Sequence, residues 1–166
     1  MRRFERADDG TMVAVADADE RALLESLVTQ VGGLVMEGGD VASDPALLRL
    51  LPDAYPDDAE GSAEFRRLTA AGLLQRKSDN ARTVLRTLEA ASDSGEVRLD
   101  AQEAGAWLRV LTDVRLIVAT RLGIDTEDDD AGRDVDPMMR DVYDWLGFIQ
   151  NSLVEALDSP AGGVDA

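Results

Sequence analysis

The chain has 166 residues, 34 of them Asp or Glu and 17 Lys or Arg, for a formal net charge of −17; it has neither Cys nor His. That length is about one domain's worth of chain, and folding it buries roughly 70% of the unfolded surface without staples. The two missing residue types exclude disulfides, thiol chemistry, His-based triads and the usual zinc ligand sets, and the charge disfavours phosphate backbones and anionic membranes as non-specific partners.

Met1-Arg2-Arg3-Phe4-Glu5-Arg6 runs into acids rather than an apolar stretch, so no secretory signal is read there. No apolar run reaches the ~18–20 residues of a membrane span, and a soluble cytoplasmic protein is expected. The same opening reads as the first strand of a β-hairpin, with a turn at Asp8-Asp9-Gly10 and a return strand from Thr11 to Ala16. Asp-Gly suits a tight turn because Gly tolerates positive φ. Alternation directs Phe4 to one face, with either Met12, Ala14 and Ala16 or Thr11, Val13 and Val15 toward the core. Asp17 or Asp19 then caps a helix striped by Leu23, Leu24, Leu27, Val28, Val31, Leu34 and Val35. Gly32-Gly33 weakens its interior and Gly38-Gly39 ends it. Ser43-Asp44-Pro45 starts a short helix, Ala46 to Leu51, which Pro52 stops. The acidic stretch from Pro52 to Asp58 is a connector inside one domain.

A long helical pattern follows from Ser62 to Ala91, marked by Phe65, Leu68, Ala71 and Leu73 or Leu74, then by Ala81, Val84, Leu85 and Leu88. Ser78-Asp79-Asn80 is poor helix material and predicts a break or kink. After the loop Ser92–Gly95, Glu96-Val97-Arg98-Leu99 alternates and adds a third strand to the hairpin. Asp100-Ala101-Gln102-Glu103 has capping-box spacing and opens the most apolar helix, Ala101 to Leu122, closed by Gly123. Its wide apolar arc, with Trp107, Val110, Val114 and Ile117 on one side, predicts a central helix; Arg109, Asp113, Leu116 and Thr120 make a partly polar face. Ile124 to Val135 is an acidic loop. Asp136-Pro137 then starts the last helix, striped by Met138, Met139, Val142, Trp145, Leu146, Ile149, Leu153, Ala156 and Leu157. The predicted fold is α+β, mainly α: a helical bundle with a small antiparallel three-stranded sheet, one domain over residues 1–158 with a flexible tail at 159–166.

Candidate chemistry is sparse. Counting back from Gly132, a calcium loop would need a ligand where Ala131 stands and a Glu six residues on that is missing, so the acidic loop reads as a solvated charge run. Gly32-Gly33 and Gly38-Gly39 lack the Lys-Ser/Thr of a phosphate loop. No catalytic residue, metal ligand or cofactor site is assigned. Arg66, Arg67, Arg76, Lys77, Arg82 and Arg86 are the one basic concentration, and their spacing from Asp79 and Glu89 makes a charge ladder rather than a DNA-facing patch. Lys77 is the only lysine. Arg115 and Arg121 fall within the apolar arc, where unpaired guanidinium groups are costly. They are expected to pair with Asp141 and Asp144 on the last helix, fixing helix register; the functional alternative is a pocket for a partner's acid.

The ordered runs Leu51-Pro52-Asp53-Ala54-Tyr55, Glu64-Phe65-Arg66-Arg67, Asp113-Val114-Arg115-Leu116, Thr120-Arg121-Leu122-Gly123-Ile124 and Tyr143-Asp144-Trp145-Leu146 carry a likeness that covers nearly the whole chain. In these the sequence resembles a domain of unknown function from high-GC Gram-positive bacteria. The resemblance implies no activity, cofactor or catalytic residue. It does imply a role near regulated proteolysis, because genes of such proteins sit beside the adaptor that feeds the Clp protease, and some members are labelled transcriptional regulators. The leading expectation is a non-catalytic protein-interaction or regulatory module with a protein partner, in the Clp adaptor system or as a homodimer through an apolar helix surface. A DNA-binding transcriptional regulator is the alternative, and a carboxylate-dependent metal enzyme comes third.

Overall fold

The computed structural model describes residues 1–36, 59–122 and 136–160, with the backbone alone at Met36 and at 59–71. Strands β1 (Glu5–Arg6), β2 (Met12–Val15) and β3 (Glu96–Leu99) form an antiparallel sheet in that order, with Glu5 opposite Val13 and Val13 opposite Arg98. The hairpin turns at Gly10, whose φ of +85° places it where side chains are strained. Phe4, Met12, Ala14, Ala16, Val97 and Leu99 are all buried, which selects the first of the two hairpin faces. A slip of one residue would turn this whole set to solvent, so burial fixes the register.

Four helices follow among the described residues: α1 (Ala18–Met36), α2 (Ala59–Ala90), α3 (Ala101–Leu122) and α4 (Pro137–Asp158). Asp17, rather than Asp19, caps α1. Its Oδ1 accepts from Glu20 N and Glu20 Oε2 accepts from Asp17 N, both at 2.9 Å. The same reciprocal box starts α3 between Asp100 and Glu103, at 2.7 and 2.9 Å. At α4, Asp136 accepts from Met138 N at 3.0 Å and Pro137 occupies the first turn. Each cap contributes on the order of 1 kcal/mol.

α2 runs through Ser78–Asn80 without the expected break. Tertiary context overrides the poor local propensity there: Ser78 is buried, Lys77 is tied to α3, and Gln75 donates to Asp79 one turn away at 3.0 Å. α1 likewise continues through Gly32-Gly33. Leu23 faces outward while Leu24, Val28, Val31 and Val35 carry the buried stripe of α1. The helix expected over Ala46–Leu51, the loop Ile124–Val135, the caps at Gly38-Gly39 and Gly123, and residues 161–166 lie outside the described residues.

α3 is central, as its apolar arc predicts, packing against α1, α2, α4 and β3. Trp107 is fully buried on it, its ring edge-on to Phe4 at 5.7 Å and its Nε1 donating to Thr87 Oγ1 at 2.9 Å. The fold is thus α+β and mainly helical, with the sheet laid over one end of the helices. Helix α4 clasps the sheet edge. Phe4 N donates to Ser152 Oγ at 3.1 Å, Arg3 pairs with Glu155, and Arg6 donates to the carbonyls of Leu157 and Ser159 at the C-terminal end of α4. A guanidinium there complements the partial negative charge of the last carbonyls.

Candidate interaction surface

The α3–α4 seam receives one of the two arginines singled out by sequence. Arg115 lies with its guanidinium carbon 4.6 Å from the centre of the Tyr143 ring and donates to Gln150 Oε1 at 2.9 Å. Gln150 in turn donates to Thr112 Oγ1 at 2.7 Å, returning the network to α3. Gly147 makes room for it, since a Cβ there would sit 3.2 Å from Arg115 Nη2. The acids expected as partners are elsewhere. Asp141 is exposed, and Asp144 lies 3.8 Å from Arg140, its neighbour one turn back. Arg121 is exposed in the last turn of α3 and makes no ion pair among the described residues. Helical spacing of three and four residues therefore puts Tyr143, Gly147 and Gln150, and not the two aspartates, opposite Arg115. Arg115→Met removes a charge-assisted hydrogen bond and a cation–π contact. It is expected to cost about 1–2 kcal/mol in urea unfolding with the fold retained.

In the basic stretch Lys77, Arg82 and Arg86 are committed to other contacts, while Arg76 makes no ion pair among the described residues. Lys77 Nζ meets both carboxylate oxygens of Asp113 at 2.8 and 2.9 Å, with side chains only 16% and 9% exposed. Arg82 lies 3.6 Å from Asp79, and Arg86 reaches Glu103 at 3.3 Å. The side chains of Arg66 and Arg67 are outside the described residues. Asp113, expected on a partly polar face, is buried instead. Burial pushes its carboxyl above the ordinary value of 3.8 even though Lys77 opposes the shift. The sequence carries a signal for this: an acid at position 113, between Leu111 and Val114, sits at the edge of the apolar arc and needs a base.

The outer face of the sheet holds what sequence reasoning misses. Strand alternation that buries Phe4, Met12 and Ala14 turns Val13 and Val15 outward, and α4 brings Phe148 beside them. Val15 is 43% and Phe148 48% exposed. The groove between them has a volume of about 550 Å³ and is lined by Arg2, Arg3, Arg6 and Arg98 against one acid, Glu5. Four bases and one acid line it, and Arg2 and Arg6 are the two bases with no carboxylate partner among the described residues, since Arg3 pairs with Glu155 and Arg98 with Asp9 and Glu96. Arg98 is held in place by Asp9 Oδ2 at 3.1 Å, Glu96 Oε1 at 3.0 Å and Thr11 Oγ1 at 2.9 Å. Thr11's hydroxyl and amide hydrogens hold Asp9 below the usual carboxylate range, with Arg98 adding to the effect. Arg2 is exposed and makes no ion pair among the described residues. The clustering of three of the chain's arginines in its first six residues is the legible signal.

The described part of the molecule is thus a mainly helical α+β protein whose small sheet presents an arginine-lined, partly apolar groove. The chain belongs to the family described as Domain of unknown function (DUF2017), which it matches over residues 1–157. It is 30% identical to a putative oxidative stress regulator AosR of Mycobacterium leprae, over 94% of this chain and 87% of the relative. It is also 27% identical to the oxidative stress regulator AosR of Mycobacterium tuberculosis and to that of Mycobacterium bovis, over 89% of this chain and 74% of each relative. No solved structure matches it. Among the described residues no helix is long and apolar enough to cross a membrane, and no group of three or more acids could hold a metal ion.

Proposed function

We propose that the chain is a non-catalytic regulatory protein that docks an acidic, apolar-bearing segment of another protein onto the outer face of its N-terminal sheet. The observation that carries this reading is the arginine-rich lining of the groove around exposed Val15 and Phe148, in which Arg2 and Arg6 have no carboxylate partner among the described residues. Arginine and an aromatic side chain around a small apolar centre are the composition that concentrates binding energy at protein interfaces. Opposite charge on a partner would steer its approach, while the chain's net charge of −17 repels other acidic surfaces. The naming of the mycobacterial relatives as oxidative stress regulators supports a regulatory role. This chain has no thiol to oxidise, so in this reading a thiol-borne signal reaches it through the partner.

In the same reading residues 1–158 act as one domain in the cytoplasm, and components of the Clp protease system are candidate partners through the gene neighbourhood that the resemblance implies. The experiment is affinity capture from native lysate followed by titration of the captured, purified protein. Val15→Asp with Phe148→Asp changes two exposed side chains and is expected to weaken that titration about tenfold or more with the fold intact. Undiminished affinity in the double variant would overturn the proposal. Sedimentation that shows only self-association would replace the partner with a second copy. A gel shift that persists at roughly 150 mM salt would move the reading to DNA, since repulsion by the acidic chain predicts none.

A further inference from the structure

A second groove, which borders the α3–α4 seam at Thr112, has a composition that docking at the sheet does not use. It lies between α2 and α3, has a volume of about 790 Å³, and is walled by Leu73 and Leu108, Asn80 and Thr112, with Lys77 and Asp113 among its lining residues. That volume falls in the range of small-molecule sites, which pair apolar walls with a few convergent polar groups. Arg76 from α2 and Arg109 from α3 stand at its rim; both are exposed, and neither makes an ion pair among the described residues. In a chain with twice as many acids as bases, two unpaired guanidiniums on facing helices are a local surplus of positive charge. The acids at the groove do not meet it. Asp113 is engaged by Lys77 through both oxygens, and Asp79 accepts from Gln75 and lies 3.6 Å from Arg82.

Lys77 adds a directed donor. An ammonium has three N–H groups, and Asp113 takes at most two, its oxygens lying at 2.8 and 2.9 Å. The third has no protein acceptor among the described residues, although the side chain is only 16% exposed. This is also the one position where the chain carries a lysine instead of an arginine. A compact ammonium fits between two packed helices and can share its hydrogens between a fixed carboxylate and an entering oxygen, which a planar guanidinium does less readily.

We propose that this groove binds a small organic anion, a carboxylate or phosphate ester with a short apolar portion, whose oxygens are held by Arg76 and Arg109 and reached by the free hydrogen of Lys77. Planar guanidiniums match the paired oxygens of either group, and Leu73 and Leu108 take the apolar part. The site is separate from the sheet-face groove, and its test does not depend on any protein partner.

The experiment follows the thermal midpoint of the full chain during titration with succinate, inorganic phosphate and pyrophosphate, each against sodium chloride of equal ionic strength. The chloride reference is required because screening alone stabilises so acidic a chain. At least one anion is expected to raise the midpoint by several degrees and to saturate, as mass action at a single site demands. Succinate acting without phosphate assigns the carboxylate, and the reverse assigns the phosphate. Arg76→Gln with Arg109→Gln, two exposed positions, is expected to abolish the rise while leaving circular dichroism and the anion-free midpoint near wild type. No shift beyond chloride with any of the three anions would overturn the proposal, as would an equal shift in the double variant. A shift produced only by a poly-glutamate peptide would overturn it in favour of a protein ligand.

Discussion

Trp107→Ala is expected to lower the unfolding free energy by about 4 kcal/mol, a large part of the total stability of a domain this size. Trp107 is completely buried on the central helix and meets Phe4 edge-on at 5.7 Å. Truncation therefore opens a cavity where sheet and helices meet, removes an aromatic pair worth roughly 0.5–1.5 kcal/mol, and takes away the hydrogen bond received by Thr87. Thr87 keeps its own bond to Val84 O at 2.7 Å, so its hydroxyl is not stranded. Trp107→Phe retains a ring against Phe4 and is expected to cost only about 1–2 kcal/mol. Urea midpoints at constant slope separate the two variants. A loss below about 1 kcal/mol for the alanine variant would mean that the surrounding helices collapse into the space and that Trp107 does not key the sheet to the bundle.

The second large effect is expected at Lys77. Lys77→Met leaves Asp113 buried without its cation, and breaking such a pair costs about 3 kcal/mol at neutral pH. Lys77→Met with Asp113→Leu removes both charges and is expected to return to within about 1 kcal/mol of wild type, since a well-packed apolar pair replaces an ion pair at little net cost. The pH dependence follows from the direction of the Asp113 shift. Burial raises its folded pKa above the ordinary 3.8, so the folded state holds the proton more tightly than the unfolded chain does. Asp113's contribution is then fully present below about 3.8 and is lost as pH rises through the folded value. Stability of wild type relative to Asp113→Asn should fall over that interval, and the penalty of Lys77→Met should shrink as pH is lowered. A Lys77→Met penalty independent of pH would show that packing, not charge, is what the lysine supplies.

Elements written in local chemistry are legible in the amino-acid sequence alone. Asp17 or Asp19, Asp100 with Glu103 and Asp136 with Pro137 mark three helix starts by residue type and spacing, and the helices begin there, with Asp17 as the cap of the first. The span of α3 is equally plain, because an apolar arc of that width has few other resolutions. The continuity of α2 is not, since Ser78 and Asp79 look like a break until their partners on neighbouring turns and helices are known. The same limit governs the sites. Arg115 visibly needs a partner, but which side of α4 faces it depends on helix rotation, and rotation delivers Gln150 and Tyr143 instead of Asp141 or Asp144. Lys77 and Asp113 are 36 positions apart on different helices, so periodicity alone cannot join them. Phe148 reads as one more residue of α4, since only the docking of that helix on the sheet sets it beside Val15.

The clasp between the first strand and the last helix fixes an order of events while the protein is being made. Phe4 finds Ser152 and Arg6 finds Ser159, contacts that join residues 148 and 153 positions apart. A ribosome adding about 5–20 residues per second takes roughly 7–30 s to span that interval. Strand β3 and Trp107 of α3 are made earlier and cover Met12, Ala14 and Phe4, but the edge strand β1 has none of its contacts to α4 through that time. Nascent chains of this protein are therefore most open to chaperone capture, or to sticking to one another, along this edge strand, and that hazard ends only when the final helix arrives.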